Sequence, residues 1–145
     1  MAIAQEELRR FQMAMRRLRV GFVRIIGKAM SKFDLTVPQY TVLFVLFYRE
    51  KCKMSQLARE LGITMGAATS IVDRLFKAGL VKRQRSPEDR RVVLVSLSKK
   101  GMRTVEEGHE MTLGLMSGLL SRLSAKEREA FLASYEKMSQ EIENL

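Results

Sequence analysis

Five basic side chains fall within ten residues in the second half of the chain, a density that suits the binding of a polyanion. Residues 82–91 read Lys-Arg-Gln-Arg-Ser-Pro-Glu-Asp-Arg-Arg, and only Glu88 and Asp89 oppose the positive charge. The cations are Lys82, Arg83, Arg85, Arg90 and Arg91. Arginine and lysine pair with phosphate oxygens, and arginine is favoured in a narrow groove of strong negative potential. Alternatively, the cluster only keeps a surface hairpin hydrated, as charged runs often do.

The segments around this cluster predict a β-hairpin. Residues 80–85 and 91–97 are rich in Val, Leu and Arg, which is typical of strands. Between them, Ser86-Pro-Glu-Asp89 supplies turn chemistry, because proline fixes φ and aspartate can bond nearby backbone amides. The basic residues are therefore expected at the tip and along the edges of a two-stranded ribbon.

A helix-turn-helix pattern comes directly before the hairpin. Residues 55–61 form a short amphipathic segment that ends at Gly62, the residue type best suited to the left-handed conformation that closes a helix. Thr64 is placed to cap a second helix. The apolar residues of that helix recur at i, i+3, i+4 and i+7 and predict one buried face, made of Ala68, Ile71, Val72 and Leu75. Two helices joined by a tight glycine turn are the arrangement that many DNA-binding proteins use.

The other face of the second helix is expected to lie in the major groove of a duplex. Gly66 and Ala67 have no polar side chain and can only permit close approach or touch a thymine methyl. Ser70 and Arg74 are better candidates for reading bases, although Arg74 could instead hold a phosphate. The complete predicted DNA-binding set is Ser55, Thr64, Gly66, Ala67, Thr69, Ser70, Arg74, Arg83, Arg85, Arg90 and Arg91.

Six motifs, in order along the chain, resemble the MarR family of winged-helix regulators. They are Leu35-Thr-Val-Pro-Gln39, Leu57-Ala58, Val72-Asp-Arg-Leu75, Gly79-Leu-Val81, Asp89-Arg-Arg91, and Leu97-Ser98 with Gly101. The resemblance covers about residues 5–145 and is strongest over 35–101. It implies a mostly α winged helix-turn-helix fold with a short β-hairpin wing and dimerisation helices at both ends. It also implies a homodimeric transcription factor on a pseudo-palindromic operator, usually a repressor that a small molecule or an oxidant releases.

The resemblance also supports distinct roles for the charged residues of the wing. Asp89 is expected to brace the hairpin turn through backbone amides. Asp73 of the second helix is expected to pair with Arg91 and so lock helix and wing together. Arg90 at the tip is then free for the minor groove, although Arg90 and Arg91 could exchange these roles.

Long helical patterns lie on both sides of the winged helix. In the first helix, apolar residues alternate at spacings of three and four: Leu8, Phe11, Met15, Leu18, Phe22, Ile25 and Ala29. The last helix repeats the pattern with Phe131, Tyr135, Met138, Ile142 and Leu145. Such seams pack lengthwise against another helix, although the first could simply lie on its own core. We expect residues 1–34 and 104–145 to form a helical dimerisation region and residues 35–103 the DNA-binding domain.

Capping patterns predict where three other helices begin. Thr36 with Gln39, and Ser124 with Glu127, form capping boxes. Ser98 is expected to start a helix that runs to about Arg122.

Composition agrees with a nucleic-acid partner. The 145 residues carry 26 Lys and Arg against 16 Asp and Glu, a formal charge of +10, with an excess of acid over base in residues 104–145. This polarity favours a polyanion at one face and protein partners elsewhere. No run of about 18 apolar residues predicts a membrane span. Acidic residues near the N-terminus do not suit a secretion signal, and a cytoplasmic location is expected.

A ligand pocket is predicted where the family places inducers, between the arm helices and the winged-helix body. Its lining would be Arg16, Phe22, Tyr40, Phe44 and Phe47, with His109 and Met111 facing them. Apolar walls with one cation suit a small aromatic or fatty carboxylate. An ordinary hydrophobic core is an equally good interpretation of the same residues.

Few residues of the sequence indicate redox sensing, metal binding or catalysis. Cys52, between two lysines, could have a lowered pKa and sense oxidants, or be an inert loop thiol. His109 has no ligand partner at metal-binding spacing, so neither a metal site nor a cofactor is expected. No phosphate loop or catalytic set is visible, so an enzyme is not expected. A winged-helix module that binds proteins without binding an operator is the main alternative.

Overall fold

Six α-helices and a small antiparallel sheet make up residues 3–144, the part of the chain that the computed structural model describes. The helices are α1 (Gln5–Met30), α2 (Val37–Arg49), α3 (Met54–Leu61), α4 (Met65–Lys77), α5 (Lys99–Leu120) and α6 (Ala125–Glu143). The strands are β1 (Lys51–Lys53), β2 (Val81–Arg85) and β3 (Val93–Leu97), and a 3₁₀ turn at Ser31–Phe33 follows α1.

The predicted capping residues start their helices. The Thr36 hydroxyl oxygen accepts the Gln39 amide at 3.4 Å, and the Gln39 side-chain oxygen accepts the Thr36 amide at 2.8 Å. Ser124 and Glu127 repeat this exchange at the start of α6. The hydrogen bonds that Ser124 donates lower the pKa of the Glu127 carboxyl, because they favour its charged form. Both capping boxes are therefore confirmed.

The helix-turn-helix forms as its sequence pattern predicts. α3 ends at Gly62, whose φ of 63° is the left-handed conformation that closes a helix. The Thr64 hydroxyl oxygen then accepts the Ala67 amide at 3.2 Å and starts α4. Of the predicted buried face of α4, Ala68, Val72 and Leu75 are fully buried, whereas Ile71 is only partly buried. Their burial fixes which face of α4 is left to solvent.

The sheet contains a strand that the sequence did not reveal. Its order is β1-β3-β2, and Cys52 and Arg83 both lie opposite Val95 on the central strand. Cys52, which the sequence predicts in a loop, lies in β1, so that expectation is wrong. A three-residue strand is too short for a sequence period to emerge, and its pairing partner lies more than 40 residues further along the chain.

The end of α4 is attached to the start of α5. The Ser98 hydroxyl donates to the Gly79 carbonyl at 2.6 Å, and the Lys100 ammonium donates to the Ala78 carbonyl at 3.0 Å. At Gly101 an added Cβ would lie 1.9 Å from the Leu80 carbonyl oxygen, so only glycine permits this approach. These contacts hold the last turn of α4 in place.

The chain forms two compact units, Met1–His109 and Glu110–Leu145. In the first unit, α1 is buried only at Ala29 and Met30, so packing on its own core accounts for only the end of the seam. The part of α1 that precedes these two residues exposes large apolar side chains. They are Leu8, Phe11, Met13, Met15, Leu18, Val20 and Val23. The second unit exposes Leu113, Leu115, Met116, Leu119, Phe131, Leu132, Tyr135, Met138 and Ile142. Leu145, the last seam residue, lies outside the described residues.

Within residues 3–144, no helix combines the length and the apolar character needed to cross a bilayer. The same residues contain no group of three or more His, Cys, Asp or Glu side chains placed to hold a metal ion. The proposed boundaries of the dimerisation region and the DNA-binding domain remain a prediction.

Candidate nucleic-acid interface

One face of α4 is open to solvent along its whole length. Every α4 residue predicted to contact DNA lies on it, and so does Lys77, a cation in the last turn that sequence reasoning missed. The exposed residues are Met65, Gly66, Ala67, Thr69, Ser70, Arg74, Phe76 and Lys77. Lys77 could have been found from its spacing, because it lies seven residues after Ser70 and so on the same side of the helix. Ser55, in the first turn of α3, is also exposed.

The two threonines of this surface already hold the helix together. The Thr69 hydroxyl donates to the Met65 carbonyl at 2.8 Å. The Thr64 oxygen caps α4 through the Ala67 amide. Their expected part in binding DNA is therefore limited by bonds within the protein.

The hairpin of β2, its turn and β3, residues 81–97, is called the wing from here on. Exposed cations lie on its first strand and in its turn: Lys82, Arg85, Arg90 and Arg91. The wing is closed by the Ser86 amide, which donates to the Val92 carbonyl at 2.8 Å. Its positive charge is thus carried on a hydrogen-bonded ribbon.

Asp89 contacts the turn in the way expected of a brace. Its carboxylate accepts the Arg91 amide at 2.9 Å, and its carbonyl accepts the Val92 amide at the same distance. Arg90 lies beside it in the exposed turn. The contribution of Asp89 to stability remains a prediction.

Asp73 pairs with Arg83, and the expectation that it pairs with Arg91 is wrong. A terminal nitrogen of the Arg83 guanidinium donates to the Asp73 carboxylate. Arg91 instead extends into solvent with a side chain 94% exposed, its Nε 3.5 Å from the Asp89 carboxylate. The physical reason is position: Arg83 lies within the strand that directly follows α4, whereas Arg91 lies in the turn beyond the strand ends.

Arg83 is therefore a positioning residue more than a free DNA contact. Its guanidinium carbon also lies 5.3 Å from the centroid of the Phe76 ring, a cation–π distance. Two residues of α4, Asp73 and Phe76, thus hold one side chain of β2. The pair fixes the wing against α4 and leaves the remaining wing cations available for phosphates.

The residues predicted to line a ligand pocket form an aromatic cluster in part. The Phe44 ring lies 6.0 Å from Tyr40 and 5.4 Å from His109, and Phe47 lies 6.2 Å from His109. Tyr48, which sequence reasoning missed, packs edge-on against Phe44 at 5.0 Å. These contacts are typical of a hydrophobic core with an open edge.

The other predicted pocket residues are placed differently. Arg16 lines a shallow cleft on exposed α1 together with Phe11 and Met15. Phe22 is half-buried on the same helix. Met111 belongs to the second unit. A pocket that includes all seven residues remains a prediction.

Cys52 is poorly placed for a thiol sensor. It is 3% exposed on β1, and burial is the main cause that raises the pKa of its thiol. The Glu60 carboxylate raises the pKa further, while Arg49, which pairs with Glu60 at 3.2 Å, partly offsets this effect. A raised pKa lowers the fraction of reactive thiolate at neutral pH.

A double-mutant cycle should distinguish the two possible partners of Asp73. We expect Asp73→Ala and Arg83→Ala to couple by about 0.5–1 kcal/mol in the free energy of unfolding, because each removes the same partly exposed ion pair. Asp73→Ala and Arg91→Ala should be additive. Chemical denaturation of the single and double mutants measures both terms. Coupling to Arg91 and not to Arg83 would contradict the observed pair.

Cys52 should react slowly with a thiol reagent in the native protein. At pH 8 we expect alkylation far slower than that of free cysteine. Burial limits the access of the reagent to the thiol, and the raised pKa lowers the fraction of reactive thiolate. The same sample in concentrated guanidinium provides the control and should react at the ordinary rate. Native reactivity equal to that of the unfolded chain would restore Cys52 as a sensor candidate.

Comparisons with known proteins agree with this geometry. The model of the MarR family matches residues 35–93. An uncharacterized HTH-type transcriptional regulator of Bacillus subtilis, YfiV, is 33% identical over 113 residues, which is 78% of this chain and 71% of its own length.

Solved structures extend the similarity to nearly the whole chain. A mutant of MarR from Escherichia coli in complex with operator DNA matches with a TM-score of 0.78 at 25% identity, covering 97% of this chain and 99% of that one. A MarR family protein from Bacillus stearothermophilus reaches 0.89 at 23% identity with the same coverage, which shows the fold alone. The mostly α winged helix-turn-helix fold is confirmed. This chain belongs to the MarR family of transcriptional regulators.

Proposed function

We propose that this protein is a repressor that binds a pseudo-palindromic operator in double-stranded DNA as a homodimer. The observation that carries the proposal is the Arg83 contact with Asp73 and Phe76, which holds α4 and a basic wing together as one reading surface. A helix with one open face enters the major groove, and arginine in an adjacent ribbon suits the minor groove. The operator complex of the Escherichia coli relative supports the same use of this fold.

In the proposed complex the residues divide into two groups. Ser70, Arg74 and the newly identified Lys77 are the polar side chains of the open face of α4 that we expect to contact bases or phosphates, while Thr69 bonds within the helix. The wing cations bind backbone phosphates and the minor groove, with Arg90 at the exposed tip. Phosphate contacts position the protein, whereas contacts to base edges specify the sequence.

The homodimer is supported by the apolar surface that each unit leaves exposed. Large apolar side chains exposed together along a helix are typical of protein interaction sites. On α1 the exposed side chains include Leu8, Phe11 and Leu18, and on α6 they include Phe131 and Met138. A second copy of the chain offers the same apolar faces and is the partner we propose. A regulator of this kind acts where the chromosome lies, in the cytoplasm.

Two alternatives compete with this proposal. A protein-interaction module is favoured by the small side chains at the start of α4 and the acidic C-terminal region. A redox-sensing regulator would need a reactive Cys52, which its burial disfavours. DNA binding separates the first alternative from the proposed function.

The salt dependence of duplex binding tests the function. For about six to ten phosphate contacts, affinity for random duplex should fall roughly a thousandfold or more between 50 and 200 mM salt. Arg90→Ala should weaken binding and reduce the salt slope by about 1, without changing the melting temperature. Fluorescence anisotropy and thermal denaturation supply the two measurements.

Two variants control this experiment. Lys126→Ala removes an exposed cation of α6 and should leave the slope unchanged. Asp89→Ala should lower both affinity and melting temperature, because it also disrupts the turn. Binding that is absent or insensitive to salt would favour the protein-interaction module.

We also propose a small aromatic or fatty carboxylate as effector, bound at the open edge of the aromatic cluster around Phe44. An effector must bind the DNA-free form more tightly, because equal affinity for both forms shifts no equilibrium. In a thermal-shift screen of such acids, a true effector should raise the melting temperature and compete with operator DNA. Phe44→Ala should abolish the shift, and Phe76→Ala, an exposed aromatic outside the cluster, should retain it. Hits unaffected by Phe44→Ala would place the site elsewhere.

A further inference from the structure

The first turns of α4 offer very few polar groups to a duplex. Residues 65–70, its first two turns, contain no Arg, Lys, Asn, Gln, Asp or Glu. Those side chains make the paired or charged hydrogen bonds that distinguish G, A and C in the major groove. The N-terminal residues of a recognition helix are the ones that contact base edges. Hydrogen-bond reading is therefore weakest where it is usually strongest.

The hydroxyl groups of these turns add little to the reading of bases by hydrogen bonds. Thr69 donates its hydroxyl to the Met65 carbonyl at 2.8 Å, and the Thr64 oxygen accepts the Ala67 amide at 3.2 Å. Ser70, exposed in the second turn, supplies the remaining hydroxyl. One serine can donate to or accept from several bases and selects poorly among them.

The surface that these turns expose is mainly apolar. Met65 is 49% exposed, and the methyl groups of Ala67 and Thr69 belong to exposed residues. At Gly66 an added Cβ would meet nothing within 4 Å, so the bare backbone faces open space. The apolar group that B-DNA presents in its major groove is the C5 methyl of thymine.

We infer that the first two turns of α4 read thymine through its C5 methyl group. Met65 and Thr69 supply apolar contacts on one side of Gly66, and Ala67 supplies them on the other. Gly66 lets the helix approach closely. The inference rests on the proposed function and names the feature that each operator half-site presents. T·A pairs are expected under this part of α4, while Ser70 and Arg74 read the neighbouring positions.

Deoxyuridine substitution tests the inference directly. Bound sequences are first selected from random duplex with the full-length protein, and thymine should be enriched in the centre of each half-site. Each selected thymidine is then replaced by deoxyuridine, which keeps every hydrogen-bonding group and removes only the methyl. Burying one such group corresponds to about a three- to fourfold change in affinity. We expect that loss at each contacted thymine.

Ala67→Gly provides the matching change on the protein. It removes one methyl, so the ratio of thymidine to deoxyuridine affinity should fall toward one at a single position of the half-site. The ratio is measured because any general weakening of the helix cancels in it. Ala133→Gly makes the same substitution at an exposed position of α6 and should leave every ratio unchanged.

The outcomes separate this inference from the proposed function. Salt-dependent binding with equal affinity for thymidine and deoxyuridine sites would overturn methyl reading and leave the DNA-binding function intact. Enrichment of G·C pairs at the central positions would overturn it as well. A complete lack of DNA binding would overturn the proposed function, and methyl reading with it.

Discussion

The contact of Arg83 with Asp73 and Phe76 joins the two parts of the molecule that would meet DNA. A strand residue and a helix residue ten positions apart share one hydrogen-bonded ion pair, and the aromatic ring limits where the guanidinium can lie. The pairing of β1 with β3 already holds the base of the wing, and this contact adds a tie between β2 and α4. With it, the wing cations and the open face of α4 keep a defined relation. Phosphate contacts can then set the register in which α4 meets the bases.

The energy of this pair need not be large for it to matter. The Arg83 and Asp73 side chains are 30% and 45% exposed, and ion pairs of that kind contribute about 1 kcal/mol or less to stability. The more important consequence is geometric, because the contact holds β2 against α4. A second attachment, from Ser98 and Lys100 to the Gly79 and Ala78 carbonyls just after α4, holds the same C-terminal end of the helix.

The small side chains at the start of α4 and the basic wing are complementary features. Residues without long polar side chains can approach the floor of the groove closely but carry little charge to draw the helix there. In the proposed complex the wing supplies that attraction through phosphates, which provide a large share of the affinity of DNA-binding proteins. In the same complex, the inferred apolar contacts would add selectivity with little cost in side-chain ordering, because Gly66 and Ala67 have no rotamers to fix.

Most of the local structure could be predicted from the order of the residues alone. Gly62 ends α3, Thr64 starts α4, and the spacing of Ala68, Val72 and Leu75 decides the buried face, since each signal acts within a few residues. The features that depend on distant residues could be known only from the folded chain. Strand β1 exists because β3 pairs with it, and this pairing also buries Cys52. Asp73 binds Arg83 because β2 returns alongside α4. No periodicity in the sequence predicts which arginine lies next to Asp73.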